Sequence, residues 1–225
     1  MKRISFVPGE FYHIYNRGTE KRNIFLNKNE YRRFLLLLYH CNNNKNVVLR
    51  LENQNFDINL ERETIVDVCA YCLMPNHFHI LLHEKIEGGI SLFMQKLSTG
   101  YTMYFNRLHD RTGVLFQGKF KATHVNDDEY LKYVFSYTHL NPVKLIDPNW
   151  KENGIANHNR AKEYLENYVC SSYPDYLGIN RKESVIITKE AMPNYFLSTS
   201  DYERTVNDWL NFKNLETENT RSDLV

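Results

Sequence analysis

The sequence predicts an α+β fold: a ferredoxin-like antiparallel sheet with helices packed on one face, followed by a mostly helical C-terminal extension. Three observations carry this expectation. Two β-rich runs, Thr64–Leu73 and His77–His83, are separated only by the turn Met74-Pro75-Asn76 and read as a hairpin. A long helical pattern lies on either side of that hairpin. The resulting order of strand, helix, hairpin, helix, strand, helix suits an α+β sandwich.

Each element has its own justification. Phe11-Tyr-His-Ile-Tyr15 reads as a strand ended by the turn-prone Asn16-Arg17-Gly18. Asn29 to Tyr39 carries an apolar stripe behind a cap at Asn27 or Asn29, and reads as a helix. Val47–Leu51 suggests a short strand, and the polar residues 52–62 a loop insertion. Gly88-Gly89 opens a helix from about Ile90 to Leu108, with Leu92, Phe93, Leu97, Tyr101, Tyr104 and Phe105 at helical spacing. Val114–Val125 is expected to be extended, punctuated by Gly113 and Gly118.

Asn126-Asp-Asp-Glu129 places acids at the start of a helix, where the dipole favours them. Pro142 should stop that helix near Leu140 and disfavour a helical conformation at Asn141. Residues 1–148 are expected to form the main domain and 149–225 the extension, with short helices near 158–168 and 200–213.

Composition narrows the classes. With 42% hydrophobic and 24% charged residues, the 225-residue chain can bury a sizeable core. A net charge of +1 gives no bulk attraction for nucleic acid, but its distribution is uneven. Residues 94–124 hold Lys96, Arg107, Arg111, Lys119 and Lys121 against the single acid Asp110, a balance of +4, whereas the chain from 151 onward balances to −3. A basic middle fits a phosphate-binding surface. The 16 tyrosines and 13 phenylalanines serve either a core or stacking platforms for unpaired bases.

Cys69 and Cys72 look like half a zinc site, yet no second pair follows, and strand positions three apart should face opposite sides. Buried free thiols in a reducing compartment are the better reading. The N-terminus lacks an apolar h-region and no run approaches a membrane span, so a cytoplasmic location without membrane contact is expected.

The chemistry concentrates in two places. His77-Phe78-His79 puts two imidazoles on one side of a strand, since side chains alternate faces. Downstream, Tyr137 and Asn141 are four apart and stack on one helix face. If that helix crosses that strand, two imidazoles, an amide oxygen and a phenol converge, which suits a divalent cation beside a nucleophile. Tyr133 lies one turn before Tyr137, and geometry alone does not choose between them.

Four ordered segments carry a resemblance: Pro75–Leu82, Tyr101–Arg107, Gly113–Lys121 and Tyr137–Lys144. Together they resemble the single-tyrosine HUH transposases of bacterial insertion sequences, most nearly the REP-associated tyrosine transposase branch. The likeness covers about residues 8–148, with Cys170-Ser-Ser-Tyr173 as a further shared motif.

The resemblance implies that His77 and His79 ligate a divalent metal, Mg²⁺ or Mn²⁺, with Asn141 as third ligand. It selects Tyr137 as the nucleophile, four residues before that ligand. Asn in place of the more usual Gln departs from the wider family but suits this branch. The implied reaction cuts single-stranded DNA near a hairpin through a covalent 5′-phosphotyrosine and rejoins strands without a nucleotide cofactor. Consistently, the sequence has neither a P-loop nor a dinucleotide-binding fingerprint.

Candidate proton acceptors for the tyrosine are His13 and His139. Candidate DNA contacts are Arg107, Arg111, Lys119 and Lys121 for phosphates, and Tyr101, Tyr104, Phe116 or Phe120 for bases. A monomer is expected, with a dimer as alternative. The rival readings are a domesticated hairpin- or single-strand-binding module without cleavage, and a zinc protein or small-molecule metalloenzyme. The latter is disfavoured by the missing fourth protein ligand.

Overall fold

A computed structural model describes residues 5–45, 55–56, 62–196 and 198–210, with side chains described as far as 206. Strand β1 (Phe11–Arg17) is followed by α1 (Lys28–Cys41), the hairpin β2 (Val66–Met74) and β3 (His77–Glu84), α2 (Gly89–Leu108), β4 (Lys121–Val125) and α3 (Asp128–Leu140). A 3-10 turn at Asn141–Leu145 leads to α4 (Trp150–Asn153), α5 (His158–Glu166), α6 (Tyr173–Tyr176) and α7 (Thr199–Leu210). The sheet order is β2-β3-β1-β4 with every neighbouring pair antiparallel, which is the ferredoxin-like arrangement expected. The expected strand at Val47–Leu51 and most of the 52–62 insertion lie outside the described residues.

Alternation along the strands separates two layers. Phe78, Ile80 and Leu82 of β3, with Tyr12 and Ile14 of β1, join Phe34, Leu38, Phe93, Leu97 and Tyr101 of α1 and α2 in one apolar cluster. Leu81 and Ala70 instead join Leu131, Val134 and Phe135 of α3 in a second. Trp150, Tyr173, Tyr176 and Tyr202 from beyond residue 148 complete this second layer. The extension thus helps cover the sheet face opposite α1 and α2. Strand β2 is buried at every position because both its faces are covered, and it is apolar throughout except for Asp67, which pairs with His83 at 3.0 Å.

Local signals set the helix starts. Asn27 Oδ1 accepts from the backbone N–H of Asn29 and Glu30, while Glu30 Oε2 accepts from Leu26 N–H, so the first turn of α1 is capped from both directions. Asp127 caps α3 by accepting from Tyr130 N–H at 2.7 Å. The start of α2 needs two glycines for different reasons. Gly88 has φ +73, and a Cβ on Gly89 would sit 2.2 Å from the Ile65 carbonyl oxygen.

The edge of β2 is covered by the Cys170–Tyr173 segment. Leu73 N–H donates to Cys170 O at 2.9 Å and Ser172 N–H to Tyr71 O at 3.0 Å. Ser172 Oγ accepts from Tyr71 N–H at 2.9 Å and also lies 2.8 Å from His139 Nε2 in α3. One buried hydroxyl therefore ties the sheet edge, the extension and α3 together.

Three local expectations are corrected. Only Lys121–Val125 of the expected strand 114–125 is strand. The residues before it form a loop turned at Gly113 and Gly118, both at positive φ, and sewn to the end of β1 through Thr19 N–H to Leu115 O and Gln117 N–H to Arg17 O. Asn141 is helical at φ −51, ψ −39, and its N–H still donates to Tyr137 O. Pro142 enters the first turn of a 3-10 segment, where its missing N–H is not required, and Asn141, Pro142 and Val143 are all buried there. Finally, a bulge between Val68 and Ala70 shifts the alternation. Cys69 consequently joins the α3-side cluster, and Cys72 pairs directly opposite His79, so the two thiols do not face opposite sides. All four cysteines are free, and among the described residues no helix is long and apolar enough to cross a membrane.

Removing the Ser172 hydroxyl takes away the partner of the buried Tyr71 N–H and of His139 Nε2. Ser172→Ala is expected to destabilise the protein by about 1–3 kcal/mol, seen as a lower urea midpoint at unchanged slope.

Candidate active site

The odd-numbered residues of β3 face α3, which places His77 and His79 under the helix that carries Tyr137 and Asn141. The two imidazoles are 5.1 Å apart with rings at 88°. The ring of Tyr137 stands edge-on to His79 at 5.3 Å, and Asn141 Oδ1 lies 3.4 Å from His77 Nε2. The helical conformation of Asn141 keeps it one turn beyond Tyr137, so all four predicted residues come together. Tyr133 stacks on Tyr137 at 5.9 Å but is set one turn back, and its hydroxyl is pushed up to about 12, first by burial and then by the neighbouring Tyr137 and Tyr130.

Burial fixes the protonation of the histidines. His77 is pushed down to about 4, mainly by burial. The Asn141 carbonyl, an acceptor for a charged ring, opposes this, while the charges of Lys144, Lys151 and Arg17 add to it. Burial also holds His79 well below its ordinary value, reinforced by His13, His77 and Lys151. These rings are neutral at pH 7, the form that offers a lone pair to a metal.

Asn76 Oδ1, an acceptor, lies 2.6 Å from His77 Nδ1, so that nitrogen carries the proton and Nε2 the lone pair. Two acceptors, His77 Nε2 and Asn141 Oδ1, then face each other, and Asn141 Nδ2 is buried without a partner. A cation between the two acceptors satisfies both, so these residues fit a divalent metal. Among the described residues no group of three or more His, Cys, Asp or Glu could hold one. The candidate set is two imidazoles and an amide.

Neither expected proton acceptor is turned to the tyrosine hydroxyl. His13 Nε2 lies 2.9 Å from His79 Nδ1 and therefore orients a candidate ligand. His139 Nε2 is engaged by Ser172. The hydroxyl of Tyr137 instead accepts from Lys151 Nζ at 3.3 Å, with the ammonium 4.5 Å from the ring centre. Lys151 escaped the sequence reading because no helix or strand period links α4 to α3. Only the burial of its neighbour Trp150 brings it there.

The predicted DNA contacts divide. Lys121 pairs with Tyr15, which pairs with His79, so its ammonium, 5.9 Å from the Tyr15 ring, is one strand away from the site. Lys119 is exposed in the loop leading to it. Arg107 and Arg111 lie at the end of α2, in the opposite layer, where Arg111 lines a cleft with Arg22, Phe105 and His109. Tyr101 is corrected to a core residue: it is fully buried and donates to Ile24 O at 2.5 Å, so it has no face for a base. Tyr104 is half-buried beneath Arg33, and Phe116 is also in the core. Arg17 and Lys144, whose charges act on His77, were not singled out from the sequence.

The buried histidines set an acid limit on stability. His13 and His139 are both pushed down to about 3 by burial, below an ordinary value of 6.5. Above 6.5 they are neutral folded and unfolded alike. As pH falls below 6.5 the unfolded chain takes up protons that the folded one refuses, so stability declines. His83, raised by its hydrogen bond to Asp67, acts in the opposite sense, adding stability that is lost as pH rises through its folded value. The metal-free protein in chelator should therefore unfold at a lower temperature at pH 5 than at pH 7, and an unchanged or higher midpoint at pH 5 would contradict this.

Comparison with known proteins gives the family and a similar fold. Residues 11–141, from the first strand to the end of the helix bearing Tyr137, match the family described as "Transposase IS200 like". Among curated proteins none matches the sequence. A solved structure described as a REP-associated tyrosine transposase bound to a REP hairpin is similar in fold, with a TM-score of 0.50 and 12% identity over 86% of this chain and 93% of that one. Because the matched family spans more than half of the chain, the protein belongs to the IS200-like transposases.

Proposed function

We propose that this protein is a metal-dependent single-stranded DNA endonuclease and strand transferase whose nucleophile is Tyr137. The observation that carries the reading is the convergence of Tyr137 on His79 and of Asn141 on His77, from a helix and a strand far apart in sequence. Residues 1–148 carry the tyrosine and the candidate metal ligands, and the extension packs against the helix that presents the tyrosine.

His77, His79 and Asn141 would hold Mg²⁺ or Mn²⁺, which when bound polarises a non-bridging phosphate oxygen and offsets charge developing in an in-line displacement. The Tyr137 oxygen attacks the phosphorus as the bond to the 3′ oxygen breaks, leaving a 5′-phosphotyrosine and a free 3′-hydroxyl. The phosphodiester energy stays in the protein–DNA link, so a second 3′-hydroxyl can reverse the step without a nucleotide. His13 holds the His79 ring in orientation.

Tyr137 is only 8% exposed, which favours an unpaired strand able to thread its phosphate under α3. Lys119 and Lys121, and more distantly Arg107 and Arg111, would hold flanking phosphates. The hairpin seen in the structural neighbour supports a DNA stem-loop as the partner. One chain supplies every residue of the site, which supports a monomer as the working unit.

Incubating the protein with Mn²⁺ and a labelled single-stranded library carrying a stem-loop with randomised stem and flanks should yield a covalent adduct on denaturing gels. Tyr137→Phe should abolish the adduct. His79→Ala should slow its formation by about 10³-fold, in line with the several kcal/mol that cation stabilisation is worth. Binding of the stem-loop without any adduct would favour a non-cleaving binding module instead.

A further inference from the structure

We propose that Lys151 is a second catalytic residue, whose ammonium holds the Tyr137 oxygen for attack and stabilises charge on it during both cleavage and rejoining. The inference rests on the nuclease reading above and adds a group which that reading does not require.

Its basis is a contact with the reacting atom. Lys151 Nζ donates to the Tyr137 hydroxyl oxygen at 3.3 Å while lying 4.5 Å from the ring centre. A lysine that merely covers an aromatic ring gains only a weak cation–π attraction and has no need to meet the oxygen. Its backbone is held by anchors independent of the tyrosine. Trp150 is 3% exposed in the α3-side core, Trp150 N–H donates to Asp147 O, and Asp147 Oδ2 accepts from Ala156 N–H at 2.9 Å. The ammonium is half-buried, and among the described residues no carboxylate pairs with it. A half-buried cation without an acidic partner suits an anion that arrives with the substrate.

The Coulomb influence of Lys151 on His77 and His79 places it within reach of the candidate ligands too. A phosphate at the Tyr137 oxygen would meet the ammonium and the candidate metal ligands together. In cleavage the Tyr137 O–P bond forms and the P–O3′ bond breaks, with the electron pair leaving on the 3′ oxygen. The phenolic proton passes to solvent, and the departing 3′ oxygen takes a proton from solvent. Lys151 keeps its own proton throughout, so it acts as a fixed charge and donor. In rejoining the same ammonium meets the tyrosine oxygen as leaving group.

A fixed charge can be exchanged for another of similar reach. An oligonucleotide that forms the adduct with wild type, drawn from the stem-loop library, serves as probe in single-turnover reactions with saturating protein and Mn²⁺. Lys151→Met is expected to slow adduct formation by about 10²–10³-fold, the usual effect of losing one donor to a developing oxyanion. Rejoining to an added 3′-hydroxyl strand should slow as well. The affinity for the same oligonucleotide, measured in chelator, should change less than about threefold. Lys151→Arg should recover at least a tenth of the wild-type rate, and circular dichroism should show both variants folded.

A Lys151→Met rate within twofold of wild type overturns the proposal, as does a loss of binding that accounts for the whole loss of rate. Failure of the wild type to form any adduct overturns the nuclease reading itself, and this inference with it.

Discussion

The position of one helical turn governs this site, and the contact between His139 and Ser172 fixes that turn. His139 lies between Tyr137 and Asn141 in sequence, in the last turn of α3. Its Nε2 meets a hydroxyl that is itself hydrogen-bonded to the backbone of β2. Strand β2 pairs with β3, the strand that carries His77 and His79. Both halves of the site are thus referred to one buried polar node, with hydrophobic packing of Leu131, Val134 and Phe135 before it and of Leu140 and Val143 after it. Such a node gives direction where apolar packing alone gives only proximity. The demand for direction is severe, because a misplacement of about 1 Å in a reacting group can lower a rate a hundredfold.

The electrostatics of the site follow from burial and from the absence of acids in the candidate ligand set. Two imidazoles, held neutral because solvent is excluded from them, and one amide offer lone pairs but no negative charge. Lys151, Lys144 and Arg17 add positive charge around them. A divalent ion in such surroundings would lack compensating charge until a phosphate entered, so on the proposed function substrate and metal would favour each other's binding. The weak overall charge of the chain, +1, conceals this local concentration.

Much of the architecture was legible because it is encoded locally. The hairpin, the caps at Asn27 and Asp127, and the positive φ of Gly88 before α2 depend on neighbours a few residues away. What was misread depends on longer range. Residues 114–120 have strand-like composition but are captured by the end of β1, and Asn141 stays helical before a proline because its turn is buried. Tyr101 sits at helical spacing like any core aromatic, and only its packed surroundings distinguish it from a stacking platform. The bulge that brings Cys69 to the side of Cys72 leaves no mark in the residue types.

The sequence by itself determined that His77 and His79 share one face of a strand and that Tyr137 and Asn141 share one face of a helix, since backbone geometry alone sets both periods. It also carried the ordered motifs that mark the family. The tertiary structure decided that these two faces meet, that Tyr137 rather than Tyr133 stands against His79, that His13 turns to a ligand rather than to the tyrosine, and that Lys151 reaches the tyrosine oxygen. Those outcomes join residues between 14 and 66 positions apart. No backbone period spans such distances, and only the packing of α3 and the extension onto the sheet closes them.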